Sequence, residues 1–198
     1  MNTVQQFEDA IKNFYNAPYA IAVDCCTHAI ELCLRLKKPE KVSCPNHTYL
    51  SIPMTFAKLN IYWNFIDSHW HDYYYIGDTN IIDAAVFWKK DGYIPNTLMC
   101  LSFQFKKHLN VGRGGMILLD NKDDYNILKQ MRYDGRYDNS IPWAEQNIKT
   151  YGYHYYMTPE TAQLGLDRFY TATVTEPKQW GYYNYPDLRL MEVFNEKL

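Results

Sequence analysis

The sequence predicts an α/β fold with a largely parallel sheet. Three observations carry that prediction. Short apolar runs alternate with helical patterns along most of the chain, and cap or turn residues stand at the junctions. Apolar residues make up 47% against 21% charged, the balance of a packed globular chain. With 198 residues there is room for one domain with a substantial core.

Taken in order, Thr3-x-x-Gln6 reads as a capping box. It opens a helix with Phe7, Ile11, Phe14 and Tyr15 on one face, stopped before Pro18. Ala20 to Val23 reads as a strand, and Thr27 starts a helix to about Leu36 with Ala29, Ile30, Cys33 and Leu34 inward. Val42 to Cys44 is a short strand closed by Pro45. Leu50 to Leu59 is helical in pattern, with an interruption expected near Pro53. Ile61 to Ile66 alternates as a strand does, and Ile81-Ile82 and Met99 to Phe103 follow as further strands. Gly115 to Leu119 is a strand just after the turn Gly112-Arg113-Gly114-Gly115. A helix begins near Asp120, carries Ile127, Leu128 and Met131, has Lys129 and Arg132 in its last turn, and ends at Gly135. Thr158-Pro159 opens a helix to about Tyr170, with proline at the first helical position. Asp187 to Lys197 reads as a last amphipathic helix. No internal repeat or low-complexity linker breaks this order.

Charge and cysteine usage narrow the function classes. A net charge of -2 leaves no electrostatic footprint for nucleic acid or an anionic membrane. Tyrosine clusters at 73–75, 151–156 and 182–185 could stack on single-stranded bases, but the acidic balance favours packing, including at a subunit interface. No apolar run approaches the roughly 20 residues of a membrane span, and Met1 to Glu8 carries neither part of a signal peptide. Cys25, Cys26, Cys33, Cys44 and Cys100 form no even-numbered framework, which points to reduced thiols and a cytoplasmic protein. Cys25-Cys26-x-His28 lacks the second ligand pair of a zinc site, so no metal is expected, and His69-Trp70-His71 reads as surface or interface.

The chemistry concentrates in two residues. Asp83 closes the buried run Asn80-Ile81-Ile82-Asp83, and Lys107 lies in the loop Ser102-Phe103-Gln104-Phe105-Lys106-Lys107. An acid ending a buried strand needs a partner. An acid and a lysine in these positions suit pyridoxal phosphate: the lysine amine for a Schiff base, the acid to hold a proton on the pyridine nitrogen. Lys106 is the alternative if the register shifts by one. The strand 20–23, the turn Asp24-Cys25-Cys26 and the helix from Thr27 form a strand-turn-helix unit whose positive end suits a phosphate. Ser102 could add a hydroxyl to the same group.

These segments together resemble the DegT/DnrJ/EryC1/StrS family of sugar aminotransferases. Phe7-Glu8…Phe14-Tyr15, Cys25-Cys26-Thr27-His28-Ala29-Ile30, Pro45-Asn46-His47-Thr48-Tyr49, Asp83-Ala84-Ala85, Ser102 to Gly115 and Gly152 to Met157 follow the family's motifs in order. Cys26, Val86 and Tyr156 stand where the family has Gly, Gln and Arg. The resemblance implies a fold type I, aspartate aminotransferase-like large domain with a mostly parallel sheet. Residues 1–170 would be the cofactor-binding core, 171–198 a short extension with a helix, and the small domain largely missing. It implies that Lys107 is the catalytic Schiff-base lysine, Asp83 the pyridinium partner and Tyr49 the stacking ring. Thr27, Cys26 and Ser102 would surround the phosphate, and His154 would reach a phosphate in the partner subunit of a homodimer with shared sites. The implied reaction passes an amino group from an amino acid, L-glutamate in the family, to a keto sugar linked to a nucleotide. A sugar dehydratase or isomerase of the same fold is the alternative enzyme, and a non-catalytic binding or assembly relative the alternative class.

Overall fold

A computed structural model of the chain describes residues 2–195. Helix α1 (Thr3–Tyr15) is capped by Asn2, whose side chain accepts from the Gln5 amide at 2.8 Å. The cap therefore falls one residue before the expected Thr3, because Asn2 is extended and an Asn oxygen caps as well as a Thr hydroxyl. Asn16 ends the helix in the left-handed region, at φ 58°. Strand β1 (Tyr19–Val23), helix α2 (Cys26–Lys37), strand β2 (Lys41–Pro45), helix α3 (Ser51–Lys58) and strand β3 (Tyr62–Ile66) follow. Pro53 does not interrupt α3. It is the third helical residue, where an amide has no intrahelical acceptor to lose. Strands β4 (Tyr74–Tyr75), β5 (Ile81–Asp83), β6 (Leu98–Ser102) and β7 (Gly115–Leu119) precede α4 (Lys122–Met131), α5 (Pro159–Val174) and the short α6 (Glu192–Asn195).

The main sheet has the order β1-β7-β6-β5-β4, and β2 and β3 form a separate parallel pair. The expected parallel arrangement holds for β5 beside β6, and β1 runs in their direction. Strands β7 and β4 run against it, so the five-stranded sheet is mixed. The cause is local for β7: it returns from β6 through the loop 103–114 without a helix, and a direct return is antiparallel.

Alternate residues of the central strands feed two cores, which is why these strands read as unbroken apolar runs. Ile21, Val23, Ile81, Cys100, Ile117 and Leu119 face α2, α3 and α4, where Ile30, Cys33, Phe56 and Leu128 are buried. Ala20, Ala22, Met99, Leu101, Met116 and Leu118 face α1 and α5 with Phe7, Ile11, Tyr15 and Ala162. Gly165 in α5 lets the Phe7 ring approach so closely that a Cβ there would lie 2.6 Å from it. A buried ion pair joins the layers: Arg132 bonds Glu8 and the Ala22 carbonyl, and Glu8 accepts from the Ala22 amide.

The final helix expected over 187–197 is a correction. Asp187 instead caps a 3-10 turn, Leu188–Leu190, Met191 is extended, and only Glu192–Asn195 is helical. Residues 196 and 197 lie outside the described residues. Between Glu176 and Leu190 the chain forms a strap over the ends of the strands. Its Trp180 carbonyl accepts from the Asp72 amide, and its Tyr182 and Leu188 amides donate to the Trp70 and Asn46 carbonyls.

Candidate active site

Asp83 is the last residue of β5 and is 7% exposed. Its Oδ2 accepts from the Tyr74 hydroxyl at 2.7 Å and its Oδ1 from the Ala85 amide at 3.0 Å. The two-residue strand β4 exists to place Tyr74 directly opposite Asp83, and the Tyr74 hydroxyl also meets Thr48 Oγ1 at 2.5 Å. Burial pushes the Asp83 carboxyl above its usual range, while the bonds from Tyr74 and Ala85 and the charge of Lys107 pull it back. It is a buried acid held by neutral donors. Tyr74 was not singled out in the sequence, where it is the middle one of three consecutive tyrosines.

Lys107 lies in the loop between β6 and β7. The loop is closed by the Phe103 amide to the Gly114 carbonyl and the Phe105 amide to the Gly112 carbonyl, at 2.9 and 3.1 Å. The ring Nε2 of His108 meets the Ala172 carbonyl at 2.8 Å, fastening the loop to α5. Burial lowers the Lys107 ammonium pKa from its usual value, against the charges of Asp83 and Cys26. Lys106, by contrast, is exposed. The Lys107 ammonium sits 5.3 Å from the centroid of the Trp180 ring.

The phosphate side is built around the start of α2. Cys25 gives this helix no side-chain cap, whereas Asn2, Asn121 and Thr158 cap α1, α4 and α5. The first amides of α2 are therefore available to an anion. Gly115 allows β7 to press against this turn: a Cβ there would lie 2.5 Å from Cys25 C and Cys26 N. Thr27 Oγ1 meets Ser51 Oγ at 2.9 Å, bringing a second hydroxyl to the turn that sequence reasoning missed. Ser102 ends β6 and accepts from the Gln104 amide at 3.4 Å. Cys26 is buried, and burial and the Asp83 charge push its thiol well up.

Two expected residues are exposed. Tyr49 is 56% exposed. Besides Tyr74, the phenol of Tyr185 feels the Asp83 charge, and it is pushed up first by its own burial. His154 is exposed, bonded to Asp134 at 3.1 Å, on the segment that pairs with Tyr133. Asp24, Cys25 and His28 have ligand atoms within 4.8 Å of one another. Asp24 is bonded to Arg113 at 2.8 Å. Burial resists protonation of His28, but Asp24 and Cys25 outweigh it and its pKa is pushed up to about 9. A cationic imidazole and a guanidinium on one carboxylate oppose a metal cation there.

A cavity of about 80 Å³ lies between the loops 85–88 and 102–109, lined by Val86, Ser102, Lys106 and Lys107, with Lys178 and Trp180 of the strap as its outer wall. Pyridoxal phosphate fits the donor set: a buried carboxylate with no cation within bonding distance among the described residues, a lysine of lowered pKa and an uncapped helix start. That cavity, to which Asp83, Cys26 and Thr27 do not contribute, is smaller than the ~300 Å³ at which ligand pockets begin.

The layered fold has the aspartate aminotransferase-like architecture of its structural neighbours. The sequence matches the DegT/DnrJ/EryC1/StrS aminotransferase family over residues 1–95 and 89–179, and the chain belongs to that family. Among solved structures it is similar to AtS13 from Actinomadura melliaura, with TM-score 0.76 and 17% identity over 86% of this chain and 60% of that one. It is similar to the sugar aminotransferase CalS13 from Micromonospora echinospora, with TM-score 0.68 and 15% identity over 86% and 61%. PseC of Helicobacter pylori, an aminotransferase involved in pseudoaminic acid biosynthesis, gives TM-score 0.71 and 13% identity over 87% and 58%. A curated protein of Methanocaldococcus jannaschii, MJ1066, is 29% identical over 117 residues, 55% of this chain and 30% of that protein. The chain thus spans about 60% of the solved structures it matches and less than a third of MJ1066. No helix among the described residues is long and apolar enough to cross a membrane.

Proposed function

We propose that this chain is a pyridoxal phosphate-dependent aminotransferase that moves an amino group from an amino acid, L-glutamate first among the candidates, to a keto sugar linked to a nucleotide. The single observation that carries the proposal is the joint placement of Asp83, which is buried, and Lys107, which is half-buried, close enough for the charge of each to act on the other. When bound, the cofactor supplies an electron sink for the carbon bearing the amine. Asp83 Oδ2 would face the pyridine nitrogen and hold its proton, adding the cation that Tyr74 and Ala85 do not provide. The Lys107 amine would anchor the cofactor covalently and then carry a proton to and from the substrate carbon. Its lowered pKa increases the neutral fraction available to take that proton. Thr27, Ser102 and the α2 amides would hold the phosphate, with Cys26 packed beside it and Tyr49 closing over the ring.

His108 is engaged with Ala172 and Thr175, which speaks against a dehydratase using histidine in the lysine's place. The strap over Lys107 gives weight to the second reading, a binding or assembly relative that keeps the fold without turnover.

We further propose a homodimer with shared sites. Tyr151, Trp143 and Ile141 are 93%, 66% and 49% exposed on the segment that carries His154, an apolar arm suited to a partner. Five free thiols suit the cytoplasm. Adding pyridoxal phosphate to the purified protein and then excess L-glutamate tests the function. A visible band that glutamate bleaches supports the aminotransferase, a band unmoved by any amino acid supports another reaction class, and no band refutes the cofactor.

A further inference from the structure

Residues 176–190 are not needed to complete the sheet, yet they cover the Asp83–Lys107 site. The Lys107 ammonium lies against the Trp180 ring, and Trp180 is 6.2 Å from Tyr185, which packs 5.5 Å from Trp70. Trp70 in turn touches Tyr74, the tyrosine bonded to Asp83. An aromatic pair from the strap therefore bridges the two ends of the site. The segment leaves α5 at Thr175, which is extended, and Pro177 follows. Three backbone bonds to residues 46, 70 and 72 and one from His47 Nδ1 to the Tyr185 carbonyl at 2.8 Å hold it, with Leu188 as its buried anchor and Tyr183 and Leu190 exposed.

We infer that this strap is a displaceable internal plug: Trp180 and Tyr185 occupy the space of the cofactor ring, and the strap swings about Thr175–Pro177 to admit it. The inference rests on the cofactor reading above. It accounts for an aromatic face on a lysine that would otherwise lie free, and for a cavity of only about 80 Å³ beside Lys107 and Ser102, to which Asp83, Cys26 and Thr27 do not contribute. A protein closed most of the time binds with an apparent Kd raised by the reciprocal of its open fraction. Weakening the plug therefore tightens binding without changing any donor.

The full-length chain and its Trp180→Ala/Tyr185→Ala variant are titrated with pyridoxal phosphate, followed by visible absorbance. Hydrogen exchange at the Tyr182 and Leu188 amides of the unaltered chain is measured with and without the cofactor. The expected result is an apparent Kd at least tenfold lower in the variant, and at least tenfold faster exchange at both amides on loading. Equal affinities with exchange unchanged or slowed would overturn the plug and leave the cofactor reading standing, making the strap a fixed wall. No binding by either protein would overturn both. If the variant fails to fold, the exchange measurement on the unaltered chain decides.

Discussion

Among the acids the molecule buries, Glu8 and Asp83 are built differently. Glu8, on α1, is 1% exposed and meets a guanidinium, Arg132, which also takes the Ala22 carbonyl. Asp83, on β5, is 7% exposed and meets a phenol and an amide, both neutral. A buried carboxylate with its cation in place is a clamp between layers: it joins α1, β1 and the end of α4. One whose nearest cation is a separate lysine, itself of lowered pKa, is poised for a charge that arrives from outside. Asp83 closes an apolar run and Glu8 lies on the buried face of α1, and the partner tells them apart.

The sharpest break of this comparison is at Lys107. Lys107→Ala is expected to abolish turnover in an aminotransfer assay while the far-ultraviolet circular dichroism stays unchanged; measurable turnover would sink the assignment. Next comes the clamp. Arg132→Met leaves Glu8 buried without its cation and should cost about 3–5 kcal/mol of stability by denaturant titration. Its visible spectrum with pyridoxal phosphate should match the parent's, per folded molecule.

Asp83→Asn should move two readouts in opposite directions. Turnover falls about 10²–10³-fold, the scale of losing one preorganised electrostatic contact. The cofactor-free protein becomes more stable at pH 7, by about 1 kcal/mol or 2–4 °C in Tm. The sign follows from the raised folded pKa of Asp83: the native state holds the proton more tightly than the unfolded chain. Native stability is therefore lost as pH rises from the ordinary value of 3.8 through the folded value. The gain in the Asn variant should appear over that window and be absent below pH 3.8. A loss of stability at pH 7 would place Asp83 with Glu8 as a structural acid.

The smallest effect belongs to Tyr74→Phe, which removes a hydroxyl from ionised Asp83 and should cost about 1–2 kcal/mol at pH 7. The deficit should shrink as pH falls and Asp83 takes up a proton. A deficit independent of pH would assign the hydroxyl's value to Thr48 instead.

Much of this was legible in the sequence. Strands β1, β5, β6 and β7 are apolar on both faces and short, and α1, α2, α4 and α5 carry caps or period, so their positions could be read to within a few residues. Asp83 and Lys107 stand out in the sequence because pyridoxal phosphate chemistry would use an acid at a buried strand end and a lysine in a loop after a later strand. The strap was not. Gly181-Tyr182-Tyr183-Asn184-Tyr185 has neither helical nor strand period, and backbone bonds to residues 46, 70 and 72 hold it, which no side-chain pattern records. The two-residue strand β4 is too short to show a period, so the role of Tyr74 was hidden with it. The direction of β7 depends on how the loop 103–114 turns, and alternation of elements says nothing about a hairpin-like return.

The most direct test of the central claim is to incubate the protein with pyridoxal phosphate, reduce with borohydride and map the modified peptide by mass spectrometry. The expected result is one equivalent of label on Lys107, absent from Lys106, and sharply reduced in Asp83→Asn. Label on Lys106, or scattered over surface lysines at the same level in Lys107→Ala, would contradict the account.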